Sequence, residues 1–194
     1  MCDDMGWSDI GCYGGEVNTP SLDRLAKEGM RFTQFYNNAK CTTTRASILT
    51  GLYPRRGKGG LLRTDMVTLG EAMKLAGYQT SLSGKWHLGS GETTHPFKRG
   101  FDEYYGLLDG CCKFFNPKQR DPKYKGARIR KFGENDKELF EFPKGYYTTD
   151  AFTDHAIKCV QKFSKKEEPF LQDLPCIKPL YGLRKYKQTL VNIV

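Results

Sequence analysis

The chain has 194 residues, 38% of them hydrophobic and 27% charged, which is enough to bury a real core and excludes a wholly disordered polymer. The net charge of +9 would suit an anionic partner, but much of the excess lies in 113–130 and 158–187 among Gly, Pro and polar residues without a nucleic-acid motif. A solvated basic surface is therefore expected, with no nucleic-acid partner, and no apolar run is long enough to make a membrane one.

Asp3-Asp4 opens the chain without a basic-apolar leader ahead of it. The next segment, 19–29, carries both marks of a helix: Thr19 as N-cap with Pro20 at the first position, and Gly29 just past the end, with Leu22, Leu25 and Ala26 as its apolar stripe. Met30 to Tyr36 alternates like a short strand with Met30, Phe32 and Phe35 inward. A short helix then begins at Cys41, packed by Ala46, Ile48 and Leu49 and ended by Gly51 and Pro54. Thr68-Leu69-Gly70-Glu71 matches a capping box for a helix running to Ala76, and Tyr78 to Ser83 alternates like a strand that delivers Gly84-Lys85-Trp86-His87 at its carboxyl end. This helix-then-strand order favours a parallel sheet in an α/β fold.

Residues 111–144 show little periodicity and read as a long surface excursion. Thr148 or Thr149 caps a helix whose Phe152, Ala156, Val160 and Phe163 fall at helical spacing. From Leu171 onward neither strand nor helix register is evident. Seven cysteines, Cys2, Cys12, Cys41, Cys111, Cys112, Cys159 and Cys176, form no Cys-x-x-Cys pair and give neither a zinc pattern nor a disulfide framework; the adjacent Cys111 and Cys112 are expected as buried free thiols.

Three clusters carry chemistry. The Asp3 and Asp4 carboxylates could both reach one hard divalent cation, or could be a solvated or helix-capping pair, with Asp9 a turn or cap residue. Cys41, at a helix N-terminus between Lys40 and Arg45 and followed by three threonines, sits where an anionic form is favoured, unless it is a buried structural thiol. Lys85 and His87, on an extended segment, would point to one side and address one anion, with a structural histidine as the alternative; His95 reads as a loop organiser and His155 as a structural or exposed helix residue.

These pieces together resemble the sulfatase family of the alkaline-phosphatase-like superfamily. The resemblance lies in Asp3-Asp4-Met5-Gly6-Trp7-Ser8-Asp9, Asn18-Thr19-Pro20 with Leu22 to Ala26, Cys41 to Gly51, Gly84 to Gly89, Arg99 to Gly106, and an arylsulfatase-like helix start at Tyr147 to Phe152, and it covers about residues 2 to 170. It implies an alkaline-phosphatase-like α/β fold, mostly parallel and flanked by helices, and a sulfate ester hydrolase. Cys41 would be oxidised to formylglycine by a formylglycine-generating enzyme, its hydrate attacking sulfur and later expelling sulfate. Asp3 and Asp4, with the modified Cys41, would ligate Ca²⁺ or Mg²⁺; Lys85 and the cation would hold the sulfate, Arg45 the hydrate, and His87 would assist proton removal. The expected partner is a small sulfate ester or a sulfated glycan, in a periplasmic or secreted full-length protein. Phosphate or phosphonate ester hydrolysis on the same scaffold, and a non-catalytic anion-binding remnant, are the alternatives.

Three departures from the family pattern stand out. Thr43 occupies a position where the formylglycine signature has Pro or Ala. No apolar strand precedes Asp3, and 171–194 looks like a divergent, frameshifted tail, so the fold is expected to be incomplete at both ends, with 1–170 the N-terminal part of the catalytic domain. The 194-residue polypeptide alone is accordingly expected to be weakly active or inactive.

Overall fold

A computed structural model describes residues 1–53, 62–120 and 127–175. Its contacts divide these into two units, one of residues 2–37 and one from Asn38 onward.

The first unit is built on α1 (Pro20–Glu28), preceded by short 3-10 turns at Trp7–Asp9 and Gly11–Tyr13. The expected helix is there with Thr19 and Gly29 at its ends, but the Thr19 hydroxyl does not cap it. Instead it donates to the Asp23 carboxylate (3.0 Å) and accepts from the Gly11 amide (2.9 Å), while Asp23 also accepts from the Cys12 amide (2.7 Å), so the turn is tied to the helix's first residues. Asp9 caps its own turn by accepting from the Gly6 amide at 2.8 Å, as expected. Leu22 and Ala26 are half-buried and Leu25 is exposed. The expected strand at 30–36 is absent: Met30, Phe32 and Phe35 are exposed, and among the described residues no neighbouring strand offers the ladder of hydrogen bonds that alternation alone cannot supply.

The second unit is a five-stranded mixed sheet in the order β4-β3-β2-β1-β5, formed by β1 (Gln79–Lys85), β2 (Glu103–Leu107), β3 (Phe132–Glu134), β4 (Lys137–Glu138) and β5 (Phe170–Asp173). β1 lies between two parallel neighbours, β2 and β5, and is buried along almost its whole length, as a strand covered on both faces must be. β3 and β4 add an antiparallel edge. Two expectations are corrected here. Phe170–Asp173 is a strand although Pro175 follows closely, because β1 supplies the register. Residues 111–144 are not only a surface excursion: Phe132 is wholly buried and its strand pairs with β2.

Among the described residues three helices accompany the sheet: α2 (Cys41–Thr50), α3 (Leu69–Leu75) and α4 (Thr148–Phe163). The Thr68–Glu71 capping box forms in full, Thr68 accepting from the Glu71 amide at 3.1 Å and the Glu71 carboxylate from the Thr68 amide at 2.8 Å. In α2, Ala46 and Leu49 are buried but Ile48 faces solvent, and Gly51 ends the helix in the left-handed conformation at φ 68°; Pro54 lies outside the described residues. α4 buries Phe152, Ala156 and Phe163 as expected, with Cys159 taking the place expected for Val160. No helix among the described residues is long and apolar enough to cross a membrane.

Two cores result. One joins Ala46, Leu49, Leu82, Trp86, Leu88 and Phe101; the other is largely aromatic, with Phe132 stacked on Phe152 and edge-on to Tyr105, Phe142 and Tyr146.

Candidate active site

Cys41 is the first residue of α2 and half-buried, so its side chain sits at the positive end of the helix beside unsatisfied first-turn amides. Its Sγ lies 3.2 Å from His87 Nδ1. One turn further along, Arg45 is 98% buried and donates from Nη1 to the carbonyl oxygen of Lys85. A guanidinium retains its charge even when buried, so the α2 N-terminus is fastened to the carboxyl end of β1 by a cation lying next to the thiol's helix turn.

The two basic residues arrive by one route. Lys85 is the last residue of β1 and is buried; its amide donates to the Pro175 carbonyl at 3.2 Å. Trp86 follows, wholly buried, with its indole N–H on the Thr94 carbonyl at 2.9 Å and its ring edge-on to Phe101. His87 then turns into the left-handed region at φ 59°. The segment is therefore not extended at His87, and the alternation that would aim Lys85 and His87 to one side does not operate. What brings His87 to Cys41 is this turn. A non-glycine residue in that conformation costs on the order of 1 kcal/mol, and such strain persists only where the surroundings enforce it. Ala39, two residues before the thiol, and Asp4 adopt the same conformation, at φ 52° and 55°.

Thr43 uses its hydroxyl within the helix start, donating to the Lys40 carbonyl at 3.0 Å, so the three threonines do not all converge on Cys41. The thiols at 111 and 112 differ from expectation: Cys111 is exposed and Cys112 is half-buried. Burial pushes the Cys112 thiol up to about 12, its neighbour Cys111 adding to this while Arg130 and Lys85 oppose it. His95 organises its loop, accepting from the Phe97 amide at 3.2 Å. His155 is structural. It bonds Ser83 Oγ at 2.7 Å and stacks on Tyr105, and burial lowers its pKa to about 4.

Asp3 is half-buried and Asp4 exposed, in the irregular start of the first unit. Two carboxylates suit a hard cation, but among the described residues no three His, Cys, Asp or Glu side chains gather into a metal-binding group, so the pair fits Ca²⁺ or Mg²⁺ in donor type and supplies only part of a shell.

Two buried groups of this neighbourhood carried no individual sequence signal, although Tyr104 falls within the resembling stretch Arg99 to Gly106. Tyr104 is wholly buried near Arg45, and burial raises its phenol well above the usual range, Arg45 opposing. Asp173 ends β5; burial raises its carboxyl, again with Arg45 among the opposing charges. The signal that could have found Asp173 is its place at the end of a strand parallel to β1, where open α/β sheets put their sites, but the strand itself was not legible.

A family model for Sulfatase matches residues 1–172, and the chain belongs to that family. It is 33% identical to an arylsulfatase of Klebsiella aerogenes over 87% of this chain and 39% of the relative. Among solved structures, Ps i-CgsB superposes with a TM-score of 0.77 and 33% identity, covering 93% of this chain and 44% of that one. BT4656, solved with its substrate D-glucosamine-2-N,6-O-disulfate, gives a TM-score of 0.68 and 31% identity over 93% and 33% of the two chains. The mixed α/β sheet with flanking helices is thus the alkaline-phosphatase-like sulfatase fold. The chain spans well under half the length of the curated relatives it matches.

Proposed function

We propose that this chain is the nucleophile-bearing part of a sulfuric ester hydrolase. The observation that carries the reading is Cys41 Sγ at 3.2 Å from His87 Nδ1, at the first residue of a helix. The thiol here stands where formylglycine would be after oxidation by a formylglycine-generating enzyme. When present, the hydrated aldehyde supplies a hydroxyl to attack sulfur and a second hydroxyl whose deprotonation releases sulfate.

The chain's own residues serve that chemistry as follows. His87 holds or accepts a proton at Nδ1, the atom within reach of position 41. Arg45, fixed through the Lys85 carbonyl, steadies the modified side chain from within the helix. Lys85, buried at the end of β1, offsets charge on the sulfate oxygens, and its removal from bulk solvent strengthens such a contact. Asp3 and Asp4 are the hard oxygen donors for a divalent cation, Ca²⁺ or Mg²⁺, which would neutralise sulfate charge when bound. The substrate is a small sulfate ester or a sulfated glycan, in keeping with the disulfated sugar in the BT4656 structure, and the full-length protein acts in the periplasm or outside the cell.

Peptide mass after trypsin tests the reading. Cys41 produced with a formylglycine-generating enzyme should give a peptide lighter by the thiol-to-aldehyde change, and aryl sulfate turnover by the full-length protein should vanish in Cys41→Ala. Unmodified Cys41 with an active protein would overturn the mechanism, and faster cleavage of the matched aryl phosphate would overturn the substrate class.

A further inference from the structure

The His87 imidazole has a second boundary besides Cys41. Gly110, just past the end of β2, lies so close to the ring that a methyl group built on it would stand 2.5 Å from Nε2, 3.0 Å from Nδ1 and closer still to Cε1; these ring atoms are its three nearest neighbours. The Gly110 backbone does not lie in the left-handed region, so glycine is not required there by conformation. What excludes a side chain is the histidine ring.

The turn carrying Gly110 is itself held. The Leu108 amide donates to the Lys131 carbonyl (3.0 Å), the Lys131 amide to the Asp109 carboxylate (2.7 Å), and Arg128 forms an ion pair with Asp109. Lys131 also donates from Nζ to Ser90 Oγ at 3.2 Å, three residues beyond His87. Residues 128–131 therefore clasp both the Gly110 turn and the loop after His87, and β3, which follows them, is registered on β2 by Leu107 opposite Phe132.

We propose that Gly110, on the turn clasped by Asp109, Arg128 and Lys131, is a positioning residue that presses the His87 imidazole onto the nucleophile position at Cys41. The left-handed backbone at His87 aims the ring, and the bare Cα of Gly110 sets how far it can retreat. Because a methyl group would need about 3.4 Å from ring atoms to be in ordinary contact, Gly110→Ala must displace the ring by roughly 1 Å and so alter its contact with Cys41, which stands at hydrogen-bond length. The proposal rests on the sulfatase reading only for the meaning of that contact in catalysis.

Long-range ¹H–¹⁵N spectra of the imidazoles in the 194-residue chain test it, since the protein has only three histidines, His87, His95 and His155. Gly110→Ala should shift the His87 nitrogen resonances and leave those of His95 and His155 in place, and its lowering of the urea midpoint should disappear in a His87→Ala background. Unchanged His87 resonances in a folded Gly110→Ala protein, or the same loss of stability with and without the His87 ring, would overturn the proposal. Should the methyl group unfold the chain, Asp109→Ala, which adds no atoms, takes its place: loosening the turn should move the His87 resonances alone, and their staying put refutes the idea. A chain that passes this test while its full-length form cleaves no sulfate ester refutes the functional reading and not the positioning.

Discussion

Two histidines in this molecule each bond a small nucleophilic side chain, and they could hardly be used more differently. His87 meets Cys41 at 3.2 Å from a left-handed backbone past the end of β1, with Arg45 and Lys85 beside it and a glycine pressed on its ring. His155 meets Ser83 at 2.7 Å from the middle of α4, stacked on Tyr105 and contacted by Cys159, while Gln172 donates to the same serine at 3.2 Å. The pairing of imidazole with hydroxyl or thiol is thus no signature of chemistry by itself. The difference lies in placement: His155 is inside regular elements that would exist without it, whereas His87 is held in a strained turn that folding alone does not favour.

The largest effect that would sharpen this contrast lies on the His155 side. Phe132→Ala, which removes the ring shared by Tyr105, Phe142, Tyr146 and Phe152, should cost about 3–4 kcal/mol in urea unfolding, with loss of β3. A cost below about 1 kcal/mol would mean the aromatic core is not the structural half of the molecule.

Acid should act through His155 next. Burial lowers its pKa to about 4 from an ordinary value of 6.5, so below 6.5 the unfolded state takes up a proton that the folded state refuses until about 4. Stability is therefore complete above the unfolded pKa and is lost as pH falls from 6.5 towards 4, by on the order of 2 kcal/mol once partial exposure is allowed for. His155→Gln should flatten the pH dependence of the urea midpoint across that window, and an unchanged slope would remove His155 from the structural role.

Thr68→Ala should cost about 1 kcal/mol by opening the capping box of α3, leaving the His87 resonances untouched. His87→Gly should do the reverse of the structural substitutions. Relief of the φ 59° backbone should leave the urea midpoint unchanged or raise stability by about 0.5 kcal/mol, while sulfate ester turnover by the full-length protein collapses. The smallest effect is expected at Lys74→Met. Burial would raise the Asp102 carboxyl, but its bonds from Lys74 and Thr80 outweigh that and hold it below the ordinary range; loss of the exposed Lys74 should let it rise, with a stability change within about 0.5 kcal/mol.

The contrast also explains what the sequence could convey. Local structure was legible: Thr68 with Glu71, Pro20 with Gly29 and Gly51 after α2 all act within a few residues, and the motifs holding Cys41, Arg45, Lys85 and His87 carry a family pattern whose residues the fold brings into contact. Features set by distant partners were not. Phe170–Asp173 is a strand because β1 is next to it, Phe132 is buried because β2 offers an edge, and the alternating 30–36 segment stays irregular for want of such a partner. Gly110 belongs to the same class: the ring that bounds it lies 23 positions earlier in the chain.

The sheet order has a further consequence, for how the chain is made. β1 acquires β2 soon after leaving the ribosome, but its other neighbour, β5, lies 91 residues downstream at the Ser81–Gln172 contact. Until that segment emerges, one flank of the most buried strand is an open row of amides and carbonyls, able to pair with any extended chain nearby. Yield during synthesis should therefore hinge on how soon Phe170–Asp173 closes that flank, a kinetic demand distinct from the stability of the finished fold.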